Sequence, residues 1–360
     1  MSFRRWTVAT LLAAAAFAGC GGDDEPASTE PPAAQSADLA AVKTFLLDHT
    51  AQLQQEATGI REDAEQYYAM AEGVDFDYQQ LLSSQRAEVQ GFVERSQEAF
   101  GRANPAYEEM EGVVAGVPSL ADYDVIIDAG GDASDPENAV PFSLTTPDGR
   151  DFKQPGNLNY LIETSLFGTE PKFAAPDVKP DLDGDGRVQF GEAVPDAGFY
   201  VAAAREFDKT AGELATAAEG WQPTLQDALT ALVVMTPTMS EYFEAWKSSR
   251  FVAGDQATEK AFVVASRLQD ITDILSGLVL VYDNVQPSIA EADPAQARQT
   301  ANDLKELREF AARLRDQERD GKRFDAQDAD TLGSEAQARA EAIAGQISQA
   351  AGQLDIELAT

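Results

Sequence analysis

Residues 304–314 read LKELREFAARL, and their apolar side chains recur every three or four positions. This spacing places them on one face of an α-helix, while the charged residues between them face solvent. The apolar residues are Leu304, Leu307, Leu314 and either Phe310 or Ala311. The segment therefore predicts an amphipathic helix that packs against other helices.

Helical periodicity extends over most of the chain. It runs without proline from residue 38 to about residue 71, and a second helix is predicted at 76–102. A shorter helix is predicted to open at Asn104-Pro105, because asparagine is a good cap and proline fits the first turn. Further helices are predicted at 196–219, 223–249, 255–286, 294–320 and 326–357.

Alternating apolar and polar residues, the pattern typical of strands, are scarce in this sequence. Residues 123–127 are the best candidate for a short strand. Pro237 is predicted to kink its helix, because proline lacks the backbone N–H that a helix interior uses. The fold class is therefore all-α, with up-and-down helical bundles and a long irregular insertion rich in Gly, Pro and Asp.

The first 20 residues, MSFRRWTVATLLAAAAFAGC, have the pattern of an export signal. Arg4 and Arg5 precede an apolar run that is too short to span a bilayer. The run ends in FAGC, which is similar to the bacterial lipobox that precedes a lipidated cysteine. We expect cleavage before Cys20 and lipidation of Cys20, which would anchor the protein to the membrane on its extracytoplasmic side. The alternative is an ordinary secretory signal followed by a free cysteine.

The chain divides into five predicted segments. Residues 1–19 are the signal peptide, and residues 20–37, rich in Gly, Pro, Ser and acidic residues, form a flexible tether. Residues 38–118 form N-terminal helices, residues 119–195 an irregular region and residues 196–360 a C-terminal helical bundle.

Charge and composition exclude several classes of function. The 360 residues include 27 Lys+Arg and 62 Asp+Glu, a formal net charge of -35. Such a chain repels nucleic acids and anionic membrane surfaces, so we expect no nucleic-acid partner. The single Cys and the single His exclude disulfides within the chain, zinc-thiolate sites and sites that need two imidazoles.

Residues 181–192, DLDGDGRVQFGE, match the EF-hand calcium loop at each position that its pattern specifies. Carboxylates on alternate residues converge on one side of an ion, and Gly186 permits the sharp turn. The expected Ca²⁺ ligands are Asp181, Asp183, Asp185, the carbonyl of Arg187, Gln189 through water, and Glu192. Val188 is expected to pack inward. Prolines before the loop predict an isolated loop without an entering helix, and the alternative is an acidic surface turn without an ion.

Three short segments resemble the imelysin-like family, which includes the EfeO-type extracytoplasmic components of ferrous-iron uptake. Residues 107–112, YEEMEG, are similar to the family's Y-E-x-I-E-P segment. Residues 125–131, VIIDAGG, are similar to its I-D-x-R stretch, with Gly130 in place of arginine. Residues 160–168, YLIETSLFG, are similar to its H-x-I-E-x-x-L-F-G segment, with Tyr160 in place of histidine. The resemblance implies an imelysin-like arrangement of helical bundles.

The resemblance also implies a second metal site in a cleft between the bundles. Residue by residue, it points to Glu111, Asp128, Tyr160 and Glu163. Carboxylate and tyrosinate oxygens suit ferric iron, and carboxylates also suit calcium or manganese. The implied function is a lipid-anchored binding protein that captures Fe²⁺ or Fe³⁺ for a metal importer, with structural Ca²⁺ and without catalysis.

Other interpretations of the same residues remain open. Tyr160 and Glu163 also fit an ordinary helix face. Glu111 also fits a solvated acid, and Asp128 fits the cap of a turn. Arg267, Asp270 and Asp273 can line a cleft or pair along their helix, and His49 is expected to be an ordinary helix residue.

A calcium-stabilised surface lipoprotein that binds a polysaccharide or a protein is the alternative function. Tyr242, Phe243 and Trp246 would form its aromatic platform, although their helical spacing also fits a core. The sequence predicts no peptidase activity, because no nucleophile–base pair is evident.

Overall fold

Most long helices begin at an aspartate that caps the first turn. The carboxylates of Asp38, Asp77, Asp196, Asp293 and Asp325 each accept a hydrogen bond from a backbone N–H two or three residues later. A helix leaves its first N–H groups without partners, and a side-chain oxygen at this position satisfies one of them. The abundant aspartate of this acidic chain therefore also sets where its helices start.

The computed structural model describes residues 36–178 and 180–359, which are predominantly helical. The α-helices are α1 (Leu39–Glu72), α2 (Tyr78–Val114), α3 (Ala121–Asp124), α4 (Leu158–Phe167), α5 (Ala197–Gly220), α6 (Leu225–Met235), α7 (Met239–Ser248), α8 (Arg250–Ala253), α9 (Arg267–Ala292), α10 (Pro294–Arg319) and α11 (Ala326–Gln353). The all-α prediction is confirmed. Within the described part of the chain, no helix combines the length and apolarity needed to cross a membrane.

The long helices pack in two groups that meet where α2 of one group contacts α9 of the other. Helix α1 packs along α2 and α5, while α10 packs along α9 and α11. Helices α2 and α9 cross closely at Gly277, where an added Cβ would lie 2.0 Å from the carbonyl oxygen of Glu109. This close crossing brings the C-terminal half of α2 against the first turns of α9, where the polar cluster described below lies.

The insertion contains short regular elements. After α3 a π-helical turn (Val125–Ala129) follows, then the antiparallel hairpin of β1 (Ser143–Thr145) and β2 (Asp151–Lys153), helix α4 and a 3-10 turn (Pro171–Phe173). The ring of Phe173 stacks on Phe199 of α5 at 4.1 Å, and the ring of Phe152 meets Phe199 edge-on at 4.8 Å. These aromatic contacts attach the insertion to the helical body.

Two helix boundaries near the site differ from the prediction. Helix α2 continues through Pro105 to Val114, so no new helix opens at Asn104; instead the Asn104 amide donates a hydrogen bond to Asp270 at 3.0 Å. The predicted helix at 255–286 begins only at Arg267 and extends to Ala292. Residues 257–266 form no helix or strand, because several of their backbone N–H groups donate hydrogen bonds to other parts of the protein.

The predicted strand at 123–127 is wrong. These residues belong to α3 and the π-helical turn. Leu120, Asp124 and Ile127 are the buried positions, a spacing of four and three that belongs to a helix rather than a strand. The kink at Pro237 is confirmed, because a 3-10 turn (Thr236–Thr238) separates α6 from α7. The signal peptide, Cys20 and the tether up to residue 35 lie outside the described residues.

Candidate functional site

Three carboxyl groups meet inside the protein, between α2 and the π-helical turn. Glu108 and Glu111 lie one turn apart on α2, and Asp128 lies on the π-helical turn. An oxygen atom from each side chain lies within 4.8 Å of the other two. Glu108 is 0% exposed and Glu111 is 4% exposed. We call these three residues the carboxylate cluster.

The guanidinium of Arg267 contacts the carboxylate cluster from the first turn of α9. One terminal nitrogen lies 3.3 Å from both carboxylate oxygens of Glu108, and the other lies 3.8 Å from Asp128 Oδ2. Asp270, one turn later on α9, accepts from the first nitrogen at 3.3 Å. The Arg267–Asp270 pair is therefore both an intrahelical pair and part of a buried polar site. Pairing along the helix and a place in the site are thus compatible for these residues.

Several polar groups of the site have a partner, and two atoms lack one. Tyr242 donates its hydroxyl hydrogen to Glu111 Oε1 at 2.9 Å, and the Asn159 amide donates to Asp128 Oδ1 at 3.0 Å. The second oxygen of Glu111 and the Nε of Arg267 are buried without a hydrogen-bond partner among the described residues. A buried oxygen without a partner costs free energy unless a proton or a cation accompanies it.

Burial raises the pKa values of the carboxyl groups here. Burial, together with repulsion from Asp124 and Asp128, raises the pKa of Glu111 to about 8. Burial raises the pKa of Asp124 to about 7 and that of Asp270 to about 6, and it holds the pKa of Glu108 well above its usual range. In the absence of a bound cation, the site therefore holds protons near neutral pH.

A pocket of about 350 Å³ adjoins the carboxylate cluster. Asp128 belongs to both, and Asn104, which lines the pocket, donates to Asp270 behind it. The wall also includes Tyr160, Glu163 and a segment that contains Glu259, Ala261 and Phe262. The pocket therefore leads from the surface towards the cluster.

The structure separates the four residues that the resemblance pointed to. Glu111 and Asp128 come together in the cluster. Tyr160 faces the pocket but donates its hydroxyl hydrogen to Glu170 at 3.1 Å, and burial raises its pKa above the usual value. Both oxygens of Glu163 accept hydrogen bonds from backbone N–H groups on the far side of the pocket. Burial raises the pKa of Glu163 to about 7, although these bonds oppose the rise.

Three aspartates of the predicted calcium loop converge at the surface. Oxygens of Asp181, Asp183 and Asp185 lie within 4.8 Å of one another. Asp181 accepts hydrogen bonds from the N–H groups of Gly184 and Gly186 at 2.8 and 2.9 Å. Gly186 has a φ of 88°, so the turn needs glycine there, as the motif predicts.

The remaining predicted ligands lie in hydrogen bonds within the loop. Glu192 accepts from the N–H groups of Leu182, Asp183 and Gln189, which lower its pKa. The Gln189 amide donates to Asp185 Oδ2 at 2.8 Å, and the N–H of Arg187 donates to Asp185 Oδ1 at 2.8 Å.

The surroundings of the loop differ from those of an EF-hand. Val188 is 52% exposed, so the expectation that it packs inward is wrong; no helix in the described part of the chain covers it. The preceding element is the 3-10 turn Pro171–Phe173 and the next helix begins at Ala197, as the flanking prolines predict.

Two further predictions concern an aromatic group and the single histidine. The aromatic platform is wrong, because Tyr242, Phe243 and Trp246 are all buried among the helices. His49 bonds to the Phe45 carbonyl and to Glu109, which makes it a structural contact between α1 and α2.

Sequence reasoning missed Glu108 and Asp124. Glu108 stands beside Glu111 in YEEMEG, and a one-turn spacing of acidic residues was the available signal. Asp124 accepts a hydrogen bond from Tyr107 at 2.6 Å, a contact for which the sequence contains no local signal.

Comparison with known proteins gives a match to a protein family. A family model described as Imelysin, which also carries a peptidase title, matches residues 46–350. A search of curated proteins finds no match. The residues that the family model matches include the carboxylate cluster, Arg267 and the acidic loop.

Proposed function

The chain belongs to the imelysin family, and we propose that it is a non-catalytic binding protein that captures iron outside the cytoplasmic membrane. Members of this family are extracytoplasmic, which agrees with the export signal in the sequence. In this proposal, lipidated Cys20 anchors the protein and a metal importer receives the ion.

The carboxylate cluster carries this proposal. It offers oxygen ligands from Glu108, Glu111 and Asp128 within 4.8 Å of one another, beside a pocket. One Glu111 oxygen is buried with no hydrogen-bond partner among the described residues, as expected for an atom that awaits a cation or a proton. Oxygen ligands without imidazole or thiolate favour hard cations, of which ferric iron and manganese are examples.

The balance of charge at the site supports a cationic cargo. The carboxyl groups of Asp124 and Asp270 lie next to the three of the cluster, and Arg267 supplies the guanidinium among them. Carboxylates in excess over guanidinium are costly to bury, so the site holds either protons or a metal ion. A divalent or trivalent ion replaces the protons and satisfies Glu111.

Calorimetry tests the proposal directly. The chain is stripped of metal, resupplied with Ca²⁺ and titrated with Fe²⁺ under anaerobic conditions, then with Mn²⁺ and Zn²⁺. We expect one further site, whose affinity falls sharply in Glu111→Gln and in Asp128→Asn. The control is Asp273→Asn, because Asp273 is also buried on α9 but pairs with Gln269 rather than with the cluster. Absence of a further site in the wild type, or equal binding by all variants, would refute the proposal.

We also propose that the acidic loop binds structural Ca²⁺ through Asp181, Asp183 and Asp185. The turn is already shaped by the hydrogen bonds of Asp181, so little ordering accompanies binding. Glu192 would exchange its backbone hydrogen bonds for the ion. A surface protein that uses the same Ca²⁺ to bind a polysaccharide loses support, since its aromatic platform is buried.

The peptidase title of the family is not part of the proposed function. His49 is the single histidine, and its two ring nitrogens bond to a backbone carbonyl and to Glu109 rather than to a hydroxyl or thiol. We expect a casein digest to stay blank after addition of Fe²⁺, Mn²⁺ or Zn²⁺. Metal-dependent cleavage that disappears in Glu111→Gln would contradict the non-catalytic assignment.

A further inference from the structure

Residues 257–266 form an irregular segment, which we call the strap, between α8 and α9. The strap forms one wall of the pocket through Glu259, Ala261 and Phe262. At its start, the N–H groups of Thr258 and Glu259 both donate to the carbonyl of Ser248 at 3.1 Å. Since it lacks helical or sheet hydrogen bonds, its position depends on such contacts with its neighbours.

The strongest of these contacts is a buried carboxylate on α4. Glu163 Oε2 accepts from the N–H of Phe262 at 2.6 Å, and Oε1 accepts from the N–H groups of Val263 and Val264 at 2.8 and 2.9 Å. Glu163 is 3% exposed, so these bonds are little weakened by solvent. Both carboxylate oxygens are therefore engaged by the backbone of the strap.

The three hydrogen bonds hold the backbone in a conformation that it would not adopt alone. Phe262 has a φ of 53°, in the left-handed region that non-glycine residues rarely occupy. Such a conformation persists only where surrounding contacts impose it. Without Glu163, the strap at Phe262 is expected to relax.

The strap also contacts the charged site. The Phe262 ring lies 4.2 Å from the guanidinium of Arg267, and the Tyr242 ring lies 4.5 Å from it. Arg267 in turn contacts Glu108 of the carboxylate cluster. Movement of the strap would therefore open the pocket wall and remove one ring from the guanidinium at the same time.

We propose that Glu163 is a positioning residue that holds the strap closed over the pocket, and that it is not a metal ligand. It sets how fast a cation reaches and leaves the carboxylate cluster, while Glu108, Glu111 and Asp128 determine how the ion is coordinated. The kinetic part rests on the proposed function; the attachment of the strap does not.

Weaker contacts hold the middle of the strap. Thr169 donates its hydroxyl hydrogen to the Lys260 carbonyl at 2.7 Å, and the Lys260 ammonium lies 2.6 Å from Glu170. Lys260 is 43% exposed, so solvent and salt weaken the ion pair. We therefore expect Glu163 to be the dominant attachment and these contacts to keep the strap near the pocket when Glu163 is lost.

The test compares the full chain with Glu163→Ala and Glu163→Gln, and uses Asp273→Asn as the matched buried-carboxylate control. Glutamine keeps Oε1 for Val263 and Val264 but turns an amide donor towards the N–H of Phe262, so its effects should be intermediate. Hydrogen exchange of the metal-free proteins reports opening of the strap. Stopped-flow transfer of Mn²⁺ to a chelator reports its release, and the electron paramagnetic resonance spectrum reports its ligands.

In Glu163→Ala, we expect the rates of hydrogen exchange in 257–266 and of Mn²⁺ release to rise about tenfold or more. The loss of one charge-assisted hydrogen bond is enough to change an equilibrium by about tenfold. The resonance spectrum should stay that of the wild type, and Asp273→Asn should change neither rate. Unchanged exchange in the strap would overturn the proposal, as would an altered spectrum without faster release.

Two further results separate this inference from the function on which it partly rests. A wild type that binds no Mn²⁺ or Fe²⁺ refutes the proposed function, and strap exchange alone then decides whether Glu163 holds the strap. Should Glu163→Ala fail to fold, the same criteria apply to Glu163→Gln.

Discussion

Cation binding at the carboxylate cluster should strengthen steeply as the pH rises from about 6 to about 8. A cation binds the carboxylate form, whereas the metal-free site holds protons in this range. With a pKa of about 8, Glu111 is about 90% protonated at pH 7. Burial and repulsion from Asp270 also raise the pKa of Glu108, although the guanidinium of Arg267 opposes the rise.

The expected slope follows from the number of protons released. One proton released on binding lowers Kd about tenfold per pH unit below the pKa, and two protons lower it about a hundredfold. The proton on Glu111 alone should raise the affinity about 50-fold over the two pH units, because the ionised fraction of its carboxyl group rises from about 1% at pH 6 to about half at pH 8. The same raised pKa values favour the protonated folded state. The contribution of these carboxyl groups to the stability of the metal-free protein is thus greatest below about pH 4, falls as the pH rises and levels off above their raised pKa values.

Calorimetric titration with Mn²⁺ in buffers of different ionisation enthalpy measures the released protons directly. The Glu111→Gln variant should bind more weakly and release about one proton fewer, because its amide does not titrate. A Kd that is constant between pH 6 and pH 8, with a buffer-independent enthalpy, would show that the buried carboxyl groups are not the ligands.

Three other perturbations probe the loop, the histidine and the helix crossing. Ca²⁺ at about 100 times its Kd should stabilise the protein by about 2.7 kcal/mol in thermal unfolding; an equal gain in Asp181→Ala would exclude the loop as the site. Burial opposes the charge on His49, but hydrogen bonds to Glu109 and Phe45 outweigh it and raise the pKa above 6.5. The contact should therefore contribute about 1 kcal/mol or less, present below pH 6.5 and lost as the pH rises through the raised pKa; a His49→Gln variant with an unchanged stability–pH profile would contradict this. Gly277→Ala should cost about 1–3 kcal/mol in urea unfolding, because its Cβ meets the Glu109 carbonyl; wild-type stability would mean that α2 and α9 separate easily.

Local features of the fold were predictable because they depend on neighbours in sequence. Asp293-Pro294 begins α10 and Pro237 interrupts a helix, as the chemistry of caps and proline requires. The acidic loop at 181–192 was predictable for the same reason, since its three aspartates are alternate residues of one turn. By contrast, the strap was predicted to be helical, and it is irregular because Glu163, about 100 residues earlier, binds three of its N–H groups.

The helical class, the caps of several helices and the acidic loop follow from residues that are close together in the chain, and the predicted export signal rests on the same kind of local pattern. Tertiary structure alone decided the composition of the buried site. It joined Glu108 and Glu111 of α2 to Asp128 and to Arg267, and it assigned Glu163 to the strap. The physical reason is that burial, charge and hydrogen-bond supply are set by which helices cross, and the crossing at Gly277 involves residues far apart in sequence.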